Sequence, residues 1–442
     1  MKNSSVYEGG QISVNNADLS GGKVSFTIAQ GLLNKEEQTS DLSVISLKQG
    51  ASGSISGDLS HIFESNNRYI IQQGSTNGSV IIKSTAEAED IAGQIGNQNN
   101  RNTAAAWDKA VLATNTPSRG VQDLLNYLSQ HNKEGYRNAL NQVAPSDSQF
   151  KLENTLMIQN LISNETTRRF EEDGCSCGKA FKHSSMWMQV LGGYNQQSDR
   201  FEAQGFKSHT SGYILGYDGS INCQTSLGFG YSYAKSDGKS HSKDMNISSH
   251  NMFVYGKYQP LFSYIRGSFL YGLGDNHEST SLGRYSLSSD YDMHYIGAET
   301  YVGYEYLNGI TPEIGVRYTY LMPDNYTDSL GQKVKNKDIS ALTLAGRLNY
   351  KKEFAIDNGI YIKPEIYAGV TYNMNDTGTT AQVSLGQEKY TIRSKRVSRF
   401  GGEGGVNMGI SKDNIDIMLS YDTSLKKGYT EQTGMLKFRY NF

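Results

Sequence analysis

From about residue 185 to the end of the chain, apolar and polar residues alternate in one segment after another. Alternation with period two puts successive side chains on opposite faces of a strand. In 310–322, Ile310, Pro312, Ile314, Val316, Tyr318 and Tyr320 share one face, and Thr311, Glu313, Gly315, Arg317 and Thr319 the other. Ile362, Ile366, Ala368, Val370 and Tyr372 likewise oppose Lys363, Glu365, Tyr367 and Thr371, and Ile415, Ile417, Leu419 and Tyr421 oppose Asp416, Ser420 and Asp422. Twelve such segments are counted, at about 185–196, 207–219, 222–236, 245–258, 261–275, 290–307, 310–322, 338–352, 360–374, 397–411, 414–424 and 429–442. Most have the length of a tilted membrane strand, roughly 9–11 residues plus extensions. Connections after even-numbered strands are mostly tight (Gln259-Pro260, Asn308-Gly309, Lys412-Asp413), while most after odd-numbered strands are long and polar, such as 323–337 and 375–396. The second of these has room for its own hairpin around Gly386-Gln387. This asymmetry is that of a bacterial barrel with short periplasmic turns and long external loops, and an even strand number brings both barrel ends to the periplasm.

The last strand sharpens the reading. Leu436, Phe438, Tyr440 and Phe442 fall on one face, and Lys437, Arg439 and Asn441 on the other. Arg or Lys on the lipid face costs about 2–4 kcal/mol near the midplane, so Arg317, Arg347, Lys363, Lys437 and Arg439 are expected in the lumen. There they would meet Glu299, Glu313, Glu365, Glu403 and Asp416 in a mixed-charge lining.

Upstream the texture differs. Residues 1–85 read as short strands (Gln11–Val14, Lys23–Ile28, Asp41–Ile45, Tyr69–Ile71, Ser79–Lys83) separated by Gly, Asn and Ser, which suits coils of a parallel β-helix or a small β-sandwich. Residues 86–145 are polar and partly helical, notably Thr103–Ala110 and Val121–Leu128. After Pro145 a helix is expected from Ser146 or Asp147, good N-cap types, to about Phe170, within a segment 146–172. About 24 residues reach roughly 36 Å, enough to cross a bilayer core of about 30 Å. Its Asn154, Gln159, Asn160, Asn164, Glu165, Arg168 and Arg169 could not face lipid, so a spanning helix of this kind belongs inside a water-filled pore. Leu152, Leu156, Met157 and Leu161 leave open a second reading, an amphipathic helix packed on a soluble domain. The expected fold is therefore all-β with a helical linker: a 12-stranded antiparallel transmembrane β-barrel over 183–442, a polar α-helix in its lumen and a small β-helix-like region before it.

Composition agrees with this and removes competitors. With 30 Tyr, 47 Gly and 6 Pro, and a mean hydropathy of -0.55, no stretch approaches the roughly 18 apolar residues of a membrane-spanning helix, which excludes a helical membrane protein. A net charge of -2 gives no reason to propose nucleic acid as a partner. The first 30 residues contain no apolar core region or cleavage site of a secretory signal, so the chain is expected to be the C-terminal piece of a longer precursor. The eight histidines are scattered, with His250 and His294 in the lipid-facing phase, and no Gly-x-Ser-x-Gly elbow occurs; this weighs against a barrel hydrolase. A passive pore or adhesin without a secretory role remains an alternative, one that would not need a lumen-threading helix.

Several stretches resemble the translocator of bacterial autotransporters (type V secretion). Ser185-Met186-Trp187-Met188-Gln189-Val190-Leu191-Gly192-Gly193-Tyr194 resembles that family's first strand and Thr210-Ser211-Gly212-Tyr213-Ile214-Leu215-Gly216-Tyr217-Asp218-Gly219 its second. Asp413–Asp422 and Leu436–Phe442 are similar to its last two strands. Upstream, Gly9-Gly10, Thr39–Val44 and Gly50–Gly53 resemble the end of a β-helical passenger, and Asn97–Ala104 and Ala139–Val143 the linker. The style also resembles surface cell antigens of rickettsia-like bacteria. The resemblance implies an outer-membrane monomer that exports its own passenger to the cell surface, with the helix left as a plug and no cofactor. Lipid, the β-barrel insertion machinery and periplasmic chaperones are its implied partners. Leu436, Phe438, Tyr440 and Phe442 become the insertion signal. Some family members cleave their passenger by cyclisation of an Asn in the pore, for which Asn160 and Asn164 are the candidates, although the paired asparagines that mark such sites are absent from this helix.

Cys175 and Cys177 follow the helix and Cys223 opens the third strand, all toward the periplasmic side. An oxidising compartment favours a bridge, but Cys223 falls in phase with lipid-facing Thr225, Leu227 and Phe229, so free thiols are expected. Metal binding at Cys-x-Cys has only His183 nearby and is not expected.

Overall fold

The computed structural model describes residues 12–18, 41–56, 69–84, 98–113, 133–145, 149–170, 184–200, 204–282, 285–356, 359–375, 378–394 and 398–442. Twelve antiparallel strands close into a barrel. In chain order they are β1 (Ser184–Gln197), β2 (Phe206–Asn222), β3 (Thr225–Ser240), β4 (Asp244–Tyr258), β5 (Ser263–Leu282), β6 (Tyr285–Tyr304), β7 (Ile310–Pro323), β8 (Ile339–Lys351), β9 (Ile360–Asn373), β10 (Phe400–Lys412), β11 (Ile415–Lys426) and β12 (Tyr429–Asn441). Each pairs with its neighbours in sequence, and β12 pairs with β1 to shut the seam, with Tyr440 opposite Met186 and Leu436 opposite Val190. Closure leaves no edge in the barrel wall, which a sheet in lipid requires.

Alternation is visible in burial. Along β12 the pattern switches residue by residue between buried and exposed. Ile314, Leu419, Met252 and Phe229 are among many large apolar side chains exposed on the outside, while Arg266, Glu313, Asn251 and Lys437 are buried within. This inverts a soluble protein and is the arrangement a lipid surround dictates. Among the described residues no helix is long and apolar enough to cross a membrane.

The strand count from alternation agrees with the barrel, but the loop asymmetry needs correcting. Three connections after odd strands, 241–243, 283–284 and 427–428, are as short as the opposite turns. The polar segment 276–289, taken as a connection, is mostly strand: β5 and β6 continue as a hairpin with Asn276 opposite Tyr291 and Leu282 opposite Tyr285. Polar residues on both faces hide a strand from hydropathy once it leaves the lipid, yet its backbone pairing continues. Only 324–338 and 374–399 are long, and they join in a separate four-stranded sheet of Tyr326–Thr327, Lys333–Asn336, Thr379–Leu385 and Glu388–Ser394. Its last two strands form the hairpin expected around Gly386-Gln387, with Gly386 at φ +62°.

Three helices are described: α1 (Gln98–Ala113), α2 (Lys133–Val143) and α3 (Gln149–Phe170). The segment 121–128 lies outside the described residues. In the N-terminal region, Ile12–Val14 pairs in parallel with Ile45–Leu47, and Ala17–Asp18 with Ile55–Ser56. Parallel pairing cannot be made by a tight hairpin and needs a longer connection between the paired strands. A small antiparallel sheet of Leu42–Ser43, Ser79–Ser84 and Tyr69–Gln73 follows, while Lys23–Ile28 lies outside the described residues.

Cys223 corrects another expectation. It is disulfide-bonded rather than a free thiol. The lipid-phase objection fails because Cys223 sits in the turn between β2 and β3, where strand alternation no longer assigns a face. Cys175, Cys177 and His183 lie outside the described residues.

Candidate functional site in the barrel lumen

Helix α3 runs through the barrel. From Gln149 to Thr167 nearly every residue is buried, including Lys151, Glu153, Asn154, Gln159 and Glu165. Its partners come from strands all round the wall. Lys151 Nζ is 3.4 Å from Glu278 Oε1 of β5, Glu153 Oε2 is 3.2 Å from Lys426 Nζ of β11, and Glu165 Oε1 is 2.8 Å from Lys437 Nζ of β12. Gln159 donates to the Tyr318 carbonyl at 3.2 Å and accepts from Thr319 Oγ1, both of β7, and Asn154 donates to Ser236 Oγ of β3 at 2.5 Å. The reading of α3 as an amphipathic helix on a soluble domain fails for this reason: its polar side chains are matched by polar wall residues, and its apolar ones, Leu152, Met157 and Leu161 among them, by inward-facing Trp187, Ile214 and Leu321. At Gly193 of β1 a Cβ would lie 2.2 Å from Met157 Cε, so the helix approaches the wall where a side chain is missing.

The charged residues read from alternation are placed as follows. Glu299, Glu313, Arg317, Arg347 and Glu403 converge on the β5–β10 side of the lumen, together with Arg266 and Tyr301, which the pattern of the sequence did not single out. Arg266 Nε is 2.8 Å from Glu313 Oε1, and its Nη1 is 3.7 Å from Glu299 Oε1. Glu403 bridges Arg317 at 2.9 Å and Arg347 at 2.5 Å. The Tyr301 ring lies 4.0 Å from the Arg266 guanidinium and 5.3 Å from that of Arg347, a cation–π sandwich. Three guanidinium groups and three carboxylates compensate one another there. Arg439 Nε faces Asp416 Oδ2 at 3.4 Å, while Lys363 is only half-buried and faces Glu353 at 3.8 Å. Glu365 is half-buried on β9 beside it.

A second buried polar knot lies at the β1–β4 side. The Trp187 indole donates to Asp218 Oδ2 at 3.0 Å, and Ser185 and Tyr255 donate to the same carboxylate at 2.7 and 2.5 Å. No charge pattern marks it in the sequence; a Trp in lumen phase near the start of β1 is its one signal.

Asn160 is half-buried and accepts a hydrogen bond from Arg317. Asn164 is buried, with Nδ2 3.1 Å from the Tyr367 hydroxyl and 3.3 Å from Asp422 Oδ2. Leu436, Phe438, Tyr440 and Phe442 are all exposed on the outer wall, with the last two rings in a T-shaped contact at 5.0 Å. The Phe442 amide donates to the Ser184 carbonyl at 2.8 Å, so the chain terminus lies on the closing seam. Among the described residues, no group of three or more His, Cys, Asp or Glu is arranged to hold a metal ion.

With this geometry in place, the comparisons with known proteins carry weight. A model of the autotransporter beta-domain family matches residues 186–422, more than half of the chain. Outer membrane protein A of Rickettsia rickettsii is 25% identical over 336 residues, covering 68% of this chain and 15% of that protein. A putative surface cell antigen, sca2, of Rickettsia felis is 23% identical over 290 residues, covering 61% of this chain and 18% of that protein. The chain thus spans under a fifth of the length of these relatives. Among solved structures, the translocator domain of the autotransporter NalP from Neisseria meningitidis matches with a TM-score of 0.53 at 16% identity, covering 66% of this chain and 98% of that one.

Proposed function

Because the chain belongs to the autotransporter family, whose work is non-enzymatic transport, we propose that it exports its own N-terminal region through its barrel to the cell surface. The barrel is an outer-membrane one. The observation that carries the export reading is α3, a polar helix immediately before β1 whose full circumference is matched by the lumen wall. A chain that enters the barrel, turns and leaves at the far mouth would end with such a segment in the pore. Neither ATP nor a membrane potential acts at that membrane, so folding of the exported β-helical part outside supplies the direction. In this reading 1–85 is the remnant of the passenger, 86–145 its linker, 146–172 the plug and 183–442 the translocator.

The lumen charges, Glu299, Glu313, Arg317, Arg347, Lys363, Glu365, Glu403, Asp416, Lys437 and Arg439, serve as a wet, compensated lining that a polar chain can slide past. Leu436, Phe438, Tyr440 and Phe442 form the strand read by the insertion machinery after periplasmic chaperones deliver the chain, and the working unit is a monomer. Deleting 146–170 is expected to raise single-channel conductance in planar bilayers several-fold. Conductance equal to the parent's would overturn the assignment of α3 as the plug.

A second reading is supported by one contact. Asn164 Nδ2, the atom that would attack the residue's own carbonyl carbon in a single-turnover cyclisation, lies 3.3 Å from the Asp422 carboxylate, a suitable base. The measurement is the mass of the barrel fragment from membranes: a cut after Asn164 that disappears in Asp422→Asn supports cleavage, and an intact chain rejects it.

A further inference from the structure

The mouth opposite the chain terminus carries a further assembly, which meets the pore helix where Lys151 Nζ lies 4.6 Å from the Tyr291 ring. In the four-stranded sheet built there by loops 324–338 and 374–399, Glu388–Ser394 is the edge strand. Helix α1 covers that edge. Asn99 Nδ2 donates to the Arg393 carbonyl at 2.5 Å, and its Oδ1 accepts from the Arg393 amide at 2.8 Å, so one side-chain amide satisfies both backbone groups as a neighbouring strand would. Asn102 Nδ2 donates to the Thr391 carbonyl at 2.9 Å. Residues three apart on a helix share a face, and residues two apart on a strand direct their backbone groups the same way; the two spacings meet here. Two turns further along, Trp107 is 1% exposed and its indole donates to Gln332 Oε1 at 3.3 Å.

Gln332 lies at the centre of this assembly. It is 0% exposed, accepts from the Tyr390 hydroxyl, and donates through Nε2 to the Val143 carbonyl at the end of α2 at 2.8 Å. Both loops and both helices therefore meet at one side chain. Around it, Ala106, Ala144, Val334, Val383 and Ile392 form an apolar core distinct from that of the lumen.

We propose that the two loops are a receptor for the chain's own exported segment, gripping α1 and the end of α2 at the mouth with contacts of their own, additional to those of α3. The occupant is this segment because the strand edge, the buried amide and the apolar core are each completed by it. The site would then hold the exported part on the barrel even where the backbone between mouth and pore is cut. The inference goes beyond the export reading and rests on it only for which mouth faces outward.

The test uses the full chain with a protease recognition sequence placed at 146–148, reconstituted in lipid vesicles and cut to completion. The N-terminal fragment is expected to stay with the barrel through repeated washes. It should leave about ten-fold faster, or more, when Asn99→Ala and Asn102→Ala are combined, and again in Gln332→Ala, each variant removing two or more hydrogen bonds. Heat-modifiable migration of the barrel verifies that the variants are folded. Immediate loss of the parent fragment, or parental release from both variants, would overturn the proposal. A failure of the export reading shows separately, as unchanged conductance on deletion of 146–170.

Discussion

The pore and the mouth are closed by helices of the same chain that differ in the charge they bury. In the lumen, α3 presents Lys151, Glu153, Asn154, Gln159 and Glu165 to a wall of Glu278, Lys426, Ser236, Thr319 and Lys437. At the mouth, Ala106 of α1 and Ala144, just after α2, join an apolar core in which Tyr291 and Tyr326 stack at 4.3 Å, and Trp107 of α1 is buried. The contrast follows from the membrane. Strands that face lipid use their apolar side outward and leave the charged side chains for the lumen, so what fills the lumen must answer those charges, while Phe150, Met157, Ile158 and Leu161 of α3 pack on the inward-facing Trp187, Ile214 and Leu321. Buried ion pairs return little net stability once desolvation is counted, which suits a passage. Loops beyond the lipid are free to bury apolar surface on both partners, and burial there holds.

The sharpest way to break the comparison is to remove one charge in the lumen. Lys437→Ala leaves Glu165, buried and 2.8 Å from the lost ammonium, without its ion-pair partner. The folded protein should lose about 3–5 kcal/mol, measured by urea unfolding in lipid vesicles. Combining Lys437→Met with Glu165→Leu should restore most of that loss, since neither charge then remains to be desolvated. A double variant as unstable as the single one would mean that the pair contributes net stability, and the lumen would be a grip rather than a passage.

At the mouth the corresponding change is Trp107→Ala, which empties the most buried large side chain described on α1. About 3 kcal/mol should be lost, but only from the cap: hydrogen exchange in α1 should rise steeply while α3 stays protected. Equal loss of protection in α3 would show that the two closures are one cooperative unit.

How much of this could be read from the sequence differs between the same two regions. Phase alone fixed the barrel: once Ile314 and Val316 were assigned to lipid, Glu313 and Arg317 could only face the lumen. The pore helix was legible for the converse reason, since a helix carrying Asn154, Gln159 and Glu165 on several faces has no other membrane environment. Which charge meets which was not legible, because Glu403 on β10 reaches Arg317 on β7 and Arg347 on β8 across strand neighbours that only the closed barrel defines. At the mouth the hairpin around Gly386-Gln387 and the helical stretch from Thr103 were legible, but their docking was not. Gln332 and Asn99 are unremarkable polar residues in sequence, 233 positions apart, and acquire meaning only when an edge strand and a helix terminus converge on them. The extended β5–β6 hairpin was missed through reliance on hydropathy, which ends where the lipid ends, while strand pairing does not.

Acidity gives the finest separation between the two closures. Asp328, in the mouth loop, accepts hydrogen bonds from the Leu330 and Gln332 amides at 2.9 Å each and from Gln332 Nε2 at 2.7 Å. Burial nevertheless pushes its carboxyl above the usual carboxylate range, outweighing those bonds and the nearby Lys243 ammonium. A carboxyl raised on folding binds protons more readily in the folded state, so its contribution is fully present below the unfolded value and is lost as pH rises through the folded one. The mouth should therefore tighten as pH falls. Release of the cut N-terminal fragment should slow modestly between about pH 7.5 and about pH 5, and Asp328→Asn should flatten that slope. Faster release in acid, or an unaltered slope in Asp328→Asn, would remove Asp328 as its source.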